Sequence, residues 1–137
     1  MKLSIIESSE EAIVAFTLDG IVVSWDRGAQ KIYGYQSKEV IGKPLSVLML
    51  SDRPEDISKI LDKIKSGERV DHYETTRLRK DGQILYVSLT VSPIRNTASS
   101  IIGASSIIRD ITKRKETENA LRESQVRLAS TQAFPWN

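Results

Sequence analysis

The clearest pattern in the chain is an alternation of apolar and polar residues from Leu85 to Val91. Every second residue there is leucine or valine, and the residues between them carry hydroxyl groups, which is the period of a strand with one buried face. Asp81-Gly82 suits a tight turn, so we predict a hairpin that joins this strand to another over residues 70–79. The dense charges of residues 70–79 are typical of an exposed sheet edge.

A third strand is predicted over residues 101–111, where isoleucines flank the small residues from Gly103 to Ser106. These small residues leave room above the strand for a helix backbone or a ligand, and the helix is the favoured occupant. Residues 12–18 and 21–25 are rich in β-branched residues and are joined at Asp19-Gly20. They predict two more strands in a second hairpin.

Helices are predicted between the two hairpins. Asp26 is expected to cap a helix over residues 27–33, and Gly34 is expected to end it. A longer helix is predicted to start within residues 51–55 and to end at Gly67. Apolar residues recur along it at spacings of three and four, which places them in one stripe.

The stretch between these helices is predicted to be less regular. Ser37 is expected to cap a short helical turn over residues 38–41. Pro44 is expected to force residues 45–50 into an extended conformation.

Both ends of the chain are predicted to be helices that flank one domain. Residues 2–9 form a short helix with an apolar side, and a longer charged helix covers residues 113–131, in which Glu118 and Arg122 lie four residues apart. The apolar seam of the second helix is thin, so we expect a continuous helix and not a strong autonomous coiled coil. The predicted division of the chain is 1–9, 10–112 and 113–137.

Composition narrows the function classes. The chain has 137 residues, of which 39% are hydrophobic, so it is long enough for one domain with a core and too short for two. A net charge of +2 gives little support for nucleic-acid binding. Cysteine is absent, which excludes disulfides, thiolate metal sites and a cysteinyl flavin adduct. No apolar run approaches the roughly 18 residues that span a bilayer, so we expect a cytoplasmic segment.

Catalytic and metal-binding patterns are not found in the sequence. The glycines are dispersed singly, so no phosphate-binding loop is predicted. The only histidine, His72, has no second ligand beside it, and we interpret it as a surface residue of a strand. No acid, base and nucleophile converge, so we expect no metal site and no enzymatic activity.

Several short motifs follow one another in a fixed order. The most specific is Asp110-Ile111-Thr112, which lies directly before the charged C-terminal helix. The others are Asp19-Gly20, Ser24-Trp25-Asp26, Gly28-Ala29, Ile32-Tyr33-Gly34-Tyr35, Ile41-Gly42-Lys43 and Arg77-Leu78-Arg79-Lys80-Asp81-Gly82. Together they resemble the PAS sensor domains of bacterial and archaeal signalling proteins, of the type associated with histidine kinases. The resemblance implies an α+β fold with a five-stranded antiparallel sheet in the order 2-1-5-4-3, helices on one face and flanking helices at both ends.

The resemblance implies a regulatory sensor module of a larger signal-transduction protein, with a histidine kinase or another signalling domain as its output. Such a module would bind a small ligand or cofactor between sheet and helices. It would then shift the geometry of paired exit helices in a homodimer. The alternative is a ligand-free module for homodimerisation and signal relay. It is supported by the absence of a recognisable cofactor ligand and by the apolar side of the predicted N-terminal helix, which suits packing against its copy in a partner.

The same fold suggests candidate site residues. Those expected to line the ligand pocket are Trp25, Ile32, Leu48, Ile57, Ile60, Leu61, Leu89 and Ser105. Asp110, Ile111 and Thr112 are expected to relay the signal. Asp110 and Thr112 would fasten the exit helix to the sheet by capping amides or by an ion pair with Arg79.

The cofactor stays open at this stage. Haem-binding PAS domains use a histidine on the long helix and residues 57–65 contain none, which argues against haem. Covalent flavin needs the missing cysteine. Non-covalent FAD stays compatible with the sequence, with Trp25 as an aromatic wall, although this tryptophan also suits ordinary core packing.

Overall fold

The computed structural model describes residues 11–49 and 55–133, with side chains for residues 11–49 and 56–123. The predicted N-terminal helix and the helix-start signals of residues 51–54 lie outside the described residues. The described elements are β1 (Glu11–Thr17), β2 (Val22–Trp25), α1 (Arg27–Tyr33), α2 (Ser37–Val40), a 3-10 helix (Leu45–Leu48), α3 (Glu55–Lys65), β3 (Val70–Leu78), β4 (Ile84–Arg95), β5 (Ile101–Asp110) and α4 (Thr112–Ala133). No helix in this part of the chain is both long and apolar enough to cross a lipid bilayer.

The five strands form one antiparallel sheet in the order β2-β1-β5-β4-β3, as predicted. Two hairpins form its outer parts, and β5 pairs with β1 on one side and with β4 on the other. In the β4–β5 register, Leu89 lies opposite Ile108 and Val91 lies opposite Ser106. Because β5 is the central strand, the chain leaves the sheet from its middle and not from its edge.

One face of the sheet is covered by helices and forms the core. The predicted alternation in β4 is confirmed, since Leu85, Val87, Leu89 and Val91 are all buried. They share one hydrophobic cluster with Ile64, which is fully buried on the apolar stripe of α3. Each aliphatic side chain buried in this way stabilises the fold by about 1.5–3 kcal/mol.

The start of α1 is determined by local chemistry and by close packing on β1. The carboxylate of Asp26 accepts a hydrogen bond from the N–H of Ala29 at 2.8 Å, and Gly34 ends the helix with a left-handed backbone, both as predicted. A Cβ atom at Gly28 would lie 2.0 Å from the carbonyl oxygen of Glu11. Helix α1 therefore lies directly against the backbone of β1.

Two local predictions between α1 and α3 are wrong. The stretch after Pro44 is predicted to be extended, but Leu45–Leu48 forms a 3-10 helix. The physical reason is that a proline fixes its own φ and restricts the residue before it, and leaves the residues after it free. Ser37 does not cap α2, because it is already the first helical residue; Gln36 holds the cap position and its N–H donates to Glu39 Oε1 at 2.7 Å.

Strand β3 is at the sheet edge, as predicted, but its charges do not all face solvent. Glu74 is exposed, whereas Arg77 is only 6% exposed. Arg77 lies opposite Leu85 of β4, so it belongs to the buried face of the hairpin. The irregular pairing between Val70 and Tyr73 contains His72, which has a φ of 48° and an exposed side chain.

Candidate functional site

A small cavity of about 30 Å³ lies between the covered face of the sheet and the helices. Ten of its lining residues are apolar and three are polar, and they come from α1, α3, the 3-10 helix and four of the strands. A buried water needs roughly 10–15 Å³ by this measure, so the cavity has room for about two water molecules.

Five of the eight predicted pocket residues line this cavity. They are Leu48, Ile57, Ile60, Leu61 and Leu89. The three from α3 lie on the apolar stripe that the spacing of three and four residues predicts. That a ligand binds to these residues stays a prediction.

Trp25 and Ile32 do not line the cavity. The indole ring of Trp25 packs against the ring of Tyr33 with 5.4 Å between centroids, and its Nε1–H donates to the carbonyl oxygen of Tyr35 at 2.9 Å. Ile32 is 1% exposed and lies in the core cluster. Both residues therefore support the helix that carries Tyr33, which itself lines the cavity.

Ser105 is also outside the cavity, and its neighbour Ser106 lines it instead. Successive residues of a strand point to opposite faces, so an error of one residue moves a side chain to the other side of the sheet. At Gly103 the neighbouring strand leaves no room for a side chain, since a Cβ atom there would lie 2.6 Å from the carbonyl oxygen of Phe16 in β1. Above the run from Gly103 to Ser106, α3 contacts β5 and the cavity lies over Ser106. The helix is therefore one occupant of the predicted space, and a ligand there stays a prediction.

The polar residues of the cavity are Tyr33, Arg77 and Ser106, and the predicted pocket set contains none of them. Burial raises the pKa of Tyr33 to about 12, while the guanidinium of Arg77 acts in the opposite direction. Tyr33 is therefore a neutral hydroxyl at physiological pH. The sequence holds a usable signal for Arg77, because the Asp81-Gly82 turn fixes the hairpin register and places Arg77 opposite an apolar residue of β4.

A buried ion pair lies beside the cavity and joins α3 to β3. Arg77 Nη1 donates to Asp56 Oδ2 at 3.1 Å and to the carbonyl oxygen of Thr76 at 2.8 Å, and the hydroxyl of Thr75 donates to the same Oδ2 at 2.6 Å. Asp56 is 5% exposed, and its other oxygen, Oδ1, accepts no hydrogen bond from the described residues. Thus one carboxylate oxygen accepts from both side-chain donors, and the other is buried with no partner among the described residues.

The exit helix α4 is fastened to the sheet through the predicted relay motif. The carboxylate of Asp110 accepts from the N–H of Thr112 at 2.9 Å, and the hydroxyl oxygen of Thr112 accepts from the N–H of Tyr86 at 3.0 Å. The N–H of Ile111 donates to the carbonyl oxygen of Tyr86 at 2.8 Å. The alternative ion pair between Asp110 and Arg79 is not found among the described residues, because the Arg79 guanidinium binds carbonyl oxygens at the end of α1 and a neighbouring carboxylate.

A second anchor, which the sequence did not predict, joins α4 to the edge strand β3. The carboxylate of Glu74 accepts from Lys115 at 3.0 Å and from Arg114 at 2.6 Å. These two hydrogen bonds, that of Lys115 first, lower the pKa of Glu74. Glu118 also pairs with Arg114 and Lys115, and in the part of α4 with described side chains it forms no ion pair with Arg122.

A flavin does not fit this cavity. Sites for ligands of drug size measure about 300–1,000 Å³, and the cavity here measures about 30 Å³. Trp25, the predicted aromatic wall, is packed on Tyr33 and lies outside the lining. Among the described side chains, no cluster of three or more histidine, aspartate or glutamate residues could hold a metal ion.

The fold has counterparts in known proteins. The family described as PAS fold matches residues 1–111. The chain belongs to the PAS family. Among solved structures, the PAS domain of a protein from Colwellia psychrerythraea superposes with a TM-score of 0.69 at 28% identity, over 80% of this chain and 96% of that one. The LOV domain of a blue-light activated histidine kinase from Erythrobacter litoralis EL346 superposes with a TM-score of 0.65 at 17% identity, over 74% and 95% of the two chains, which shows the fold alone.

The relatives of this PAS domain among characterised proteins belong to signalling pathways. The signal transduction histidine-protein kinase AtoS of Escherichia coli (strain K12) is 34% identical over 126 residues, which is 92% of this chain and 20% of that protein. Two-component system protein A of Emericella nidulans is 33% identical over 107 residues, which is 75% of this chain and 15% of that protein. The chain thus spans a fifth or less of each relative. Family and relatives together support a sensor role in signal transduction.

Proposed function

We propose that this PAS domain is the regulatory sensor module of a larger signalling protein of the histidine kinase type. It binds a small ligand in the cavity and passes the resulting change in the sheet to α4, and from there to an output domain. The module works by shifting conformational populations and does not itself catalyse a reaction. In this proposal it acts in the cytoplasm as a homodimer with paired exit helices. The 34% identity with AtoS supports the kinase context.

The observation that carries the proposal is that the same two strands contact both the cavity and α4. In β4, Leu89 faces the cavity while the backbone of Tyr86 binds Ile111 and Thr112. In β3, Arg77 lines the cavity while Glu74 binds the first turn of α4. Three residues of a strand span about 10 Å. A displacement of either strand at the cavity is therefore transmitted directly to the start of the exit helix.

The test is the output of the longer protein that contains this segment. Asp110→Ala removes the acceptor for the N–H of Thr112 at a cost of about 1 kcal/mol, so the domain stays folded. We expect autophosphorylation of that variant to become independent of the stimulus. The matched control is Arg109→Ala, which breaks an exposed ion pair with Glu11 one position earlier on the same strand and is expected to leave the response unchanged. A wild-type response in Asp110→Ala contradicts the relay.

A second candidate function is a ligand-free module for homodimerisation and signal relay. It is favoured by the small cavity and by two apolar residues on the uncovered face of the sheet, Ile13 and Ile107. They are cross-strand neighbours and are 49% and 43% exposed.

Two measurements separate the candidates. Mass spectrometry of the small molecules released on denaturation of the purified chain tests for a bound ligand. Sedimentation equilibrium of Ile107→Ser tests whether this face forms the dimer, and Ile41→Ser, at a residue that is 45% exposed and lies outside the sheet, is the control. The second function is favoured if the wild-type protein releases no ligand and if its dimer dissociates in Ile107→Ser but not in the control variant.

A further inference from the structure

We propose that Arg79 is a positioning residue that couples the C-terminal turn of α1 to the exit helix α4. Its guanidinium caps α1 from the β3–β4 turn, and the hairpin that this turn closes also holds the first residues of α4. The coupling is a property of the fold and needs no output domain. Only its use in signalling rests on the proposed sensor function.

The C-terminal end of α1 takes its hydrogen bonds from the β3–β4 turn. The last carbonyl groups of a helix have no donor within the helix, so their partners come from elsewhere. Arg79 Nη1 donates to the carbonyl oxygens of Lys31 at 3.0 Å and of Ile32 at 2.8 Å. The N–H of Lys80 donates to the carbonyl oxygen of Tyr33 at 2.9 Å. Two residues of the turn therefore satisfy three successive carbonyl groups of α1.

The charge and the fixed orientation of Arg79 suit this cap. The carbonyl end of a helix carries partial negative charge, which favours a cation there. Arg79 Nε also donates to Asp81 Oδ2 at 3.3 Å. The position of Asp81 is fixed in turn, because its Oδ1 accepts from the N–H of Gln83 at 3.1 Å. The turn thus holds the guanidinium against the end of α1.

The same hairpin carries the attachment of α4. The two strands end their pairing at Leu78 and Ile84, and Tyr86 is two residues further along β4. The N–H of Tyr86 donates to the hydroxyl oxygen of Thr112, and its carbonyl oxygen accepts from the N–H of Ile111. Two residues of a strand span about 7 Å. A short segment of one hairpin therefore separates the cap of α1 from the start of α4.

Arg79 also lies beside the exit motif itself. It lines one open groove together with Asp110, Thr112 and Glu116. Burial is the main cause of the raised pKa of Tyr33, and the negative charge of Asp110 adds to it. The end of α1 and the start of α4 are therefore close to the same turn.

Loss of the cap distinguishes coupling from plain stabilisation. If Arg79 only ends α1, Arg79→Met loosens the last turn of α1 and leaves α4 unchanged. If Arg79 couples the two elements, the released turn displaces the hairpin and loosens the attachment of α4 as well. Coupling between two sites is reciprocal, so a break at the start of α4 is then expected to loosen the end of α1.

The experiment is hydrogen exchange of single backbone amides, measured by nuclear magnetic resonance on the whole 137-residue chain. The N–H of Gly34, which donates to the carbonyl oxygen of Gln30 at 2.8 Å, reports on the last turn of α1. The N–H of Lys115, which donates to the carbonyl oxygen of Ile111 at 2.9 Å, reports on the first turn of α4. The N–H of Ile108, in the central strand β5, reports on global opening.

Two variants test the coupling from its two ends. We expect Arg79→Met to speed exchange about fivefold at both Gly34 and Lys115, the equivalent of one hydrogen bond, and to have a smaller effect at Ile108. Thr112→Val removes the acceptor for the N–H of Tyr86. We expect this variant to speed exchange at Gly34 about twofold.

Each variant has a matched control. Lys80→Gln changes the next cation of the same turn, whose Nζ binds Glu39 of α2 at 2.6 Å and not the carbonyl groups of α1. Its backbone bond to Tyr33 is kept, so we expect exchange at Lys115 as in the wild type. Thr117→Val makes the second substitution at an exposed position of α4 and is expected to leave exchange at Gly34 unchanged.

Four results overturn the proposal. Unchanged exchange at Lys115 in Arg79→Met leaves Arg79 as a helix cap alone. An equal increase at Gly34, Lys115 and Ile108 shows a loss of general stability. Faster exchange at Lys115 in Lys80→Gln assigns the effect to any change in the turn. Unchanged exchange at Gly34 in Thr112→Val contradicts reciprocity.

The proposed sensor function fails separately. A wild-type response of the longer protein in the kinase test of Asp110→Ala refutes the relay, whereas the coupling through Arg79 is supported or refuted by the exchange rates of this chain alone.

Discussion

Replacement of Arg77 by methionine tests whether the buried ion pair holds α3 on the sheet. The variant leaves the Asp56 carboxylate buried with a single donor, the hydroxyl of Thr75. Loss of one partner of a buried ion pair costs about 3–5 kcal/mol, since the remaining charge stays away from water. For a domain whose total stability is about 5–15 kcal/mol, this is a large fraction.

The double variant Asp56→Leu/Arg77→Met separates the ion pair from simple packing. It removes both charges, so the remaining cost is the Thr75 hydroxyl without its acceptor, about 1–3 kcal/mol. We therefore expect the double variant to be about 2 kcal/mol more stable than Arg77→Met alone.

The assay is equilibrium unfolding in urea, followed by far-ultraviolet circular dichroism, with the slope of the transition checked for constancy. The control pair is Arg109 with Glu11, which joins two strands at 3.2 Å but has side chains that are 55% and 47% exposed. Arg109→Met is expected to cost less than about 1 kcal/mol. The reasoning is refuted if Arg77→Met costs no more than Arg109→Met, or if the double variant is no more stable than Arg77→Met.

Three further predictions concern titration, the exit helix and close packing. Folding raises the pKa of Tyr33 from 10.0 to about 12, so between these two pH values the folded state keeps the proton that the unfolded state loses. The free energy of unfolding of the wild type is therefore expected to fall by about 2–3 kcal/mol as pH rises from 10.0 to about 12. The free energy of unfolding of Tyr33→Phe, measured with urea over the same pH range, is expected not to show this decrease. The pKa of Glu74 is lowered, so its ion pairs with α4 are present above its ordinary value of 4.5 and are lost as pH falls through the lower folded value. Glu74→Gln is expected to speed amide exchange in the first turn of α4 at neutral pH and to remove this pH dependence. Gly28→Ala places a Cβ atom 2.0 Å from the carbonyl oxygen of Glu11 and is expected to destabilise the fold by about 1–3 kcal/mol in thermal unfolding.

Each of these has a control on the same element. Lys31→Gln tests whether any substitution on α1 alters the decrease in stability at alkaline pH. If Tyr33→Phe and the wild type show the same decrease, the assignment to Tyr33 is wrong. Glu118→Gln removes a carboxylate that stays within α4, and equal exchange in both glutamate variants excludes an anchor at Glu74. Gln30→Ala adds no clash on the exposed side of α1, and a Gly28→Ala protein as stable as Gln30→Ala shows that the helix can move off β1.

The sequence by itself determined the strands, the turns, the cap of α1 and the exit motif. The alternation from Leu85 to Val91, the carboxylate of Asp26 at a helix start and the apolar stripe of α3 act over a few residues, so they can be read without knowing what lies next to them. Leu48, Ile57, Ile60, Leu61 and Leu89, which the family resemblance suggested as pocket residues, line the cavity between sheet and helices, and ligand binding by them stays a prediction.

Only the tertiary structure decided which polar groups meet. Asp56 and Arg77 are 21 residues apart in the chain, and Glu74 and Arg114 are 40 apart. A strand with one charged residue in every two or three is typical of an exposed edge, yet Arg77 is buried because an acidic residue of α3 lies over it. Local sequence determines which face of an element a residue occupies. The packing of elements distant in sequence determines whether that face meets water, an apolar wall or an opposite charge, and this decides its chemistry.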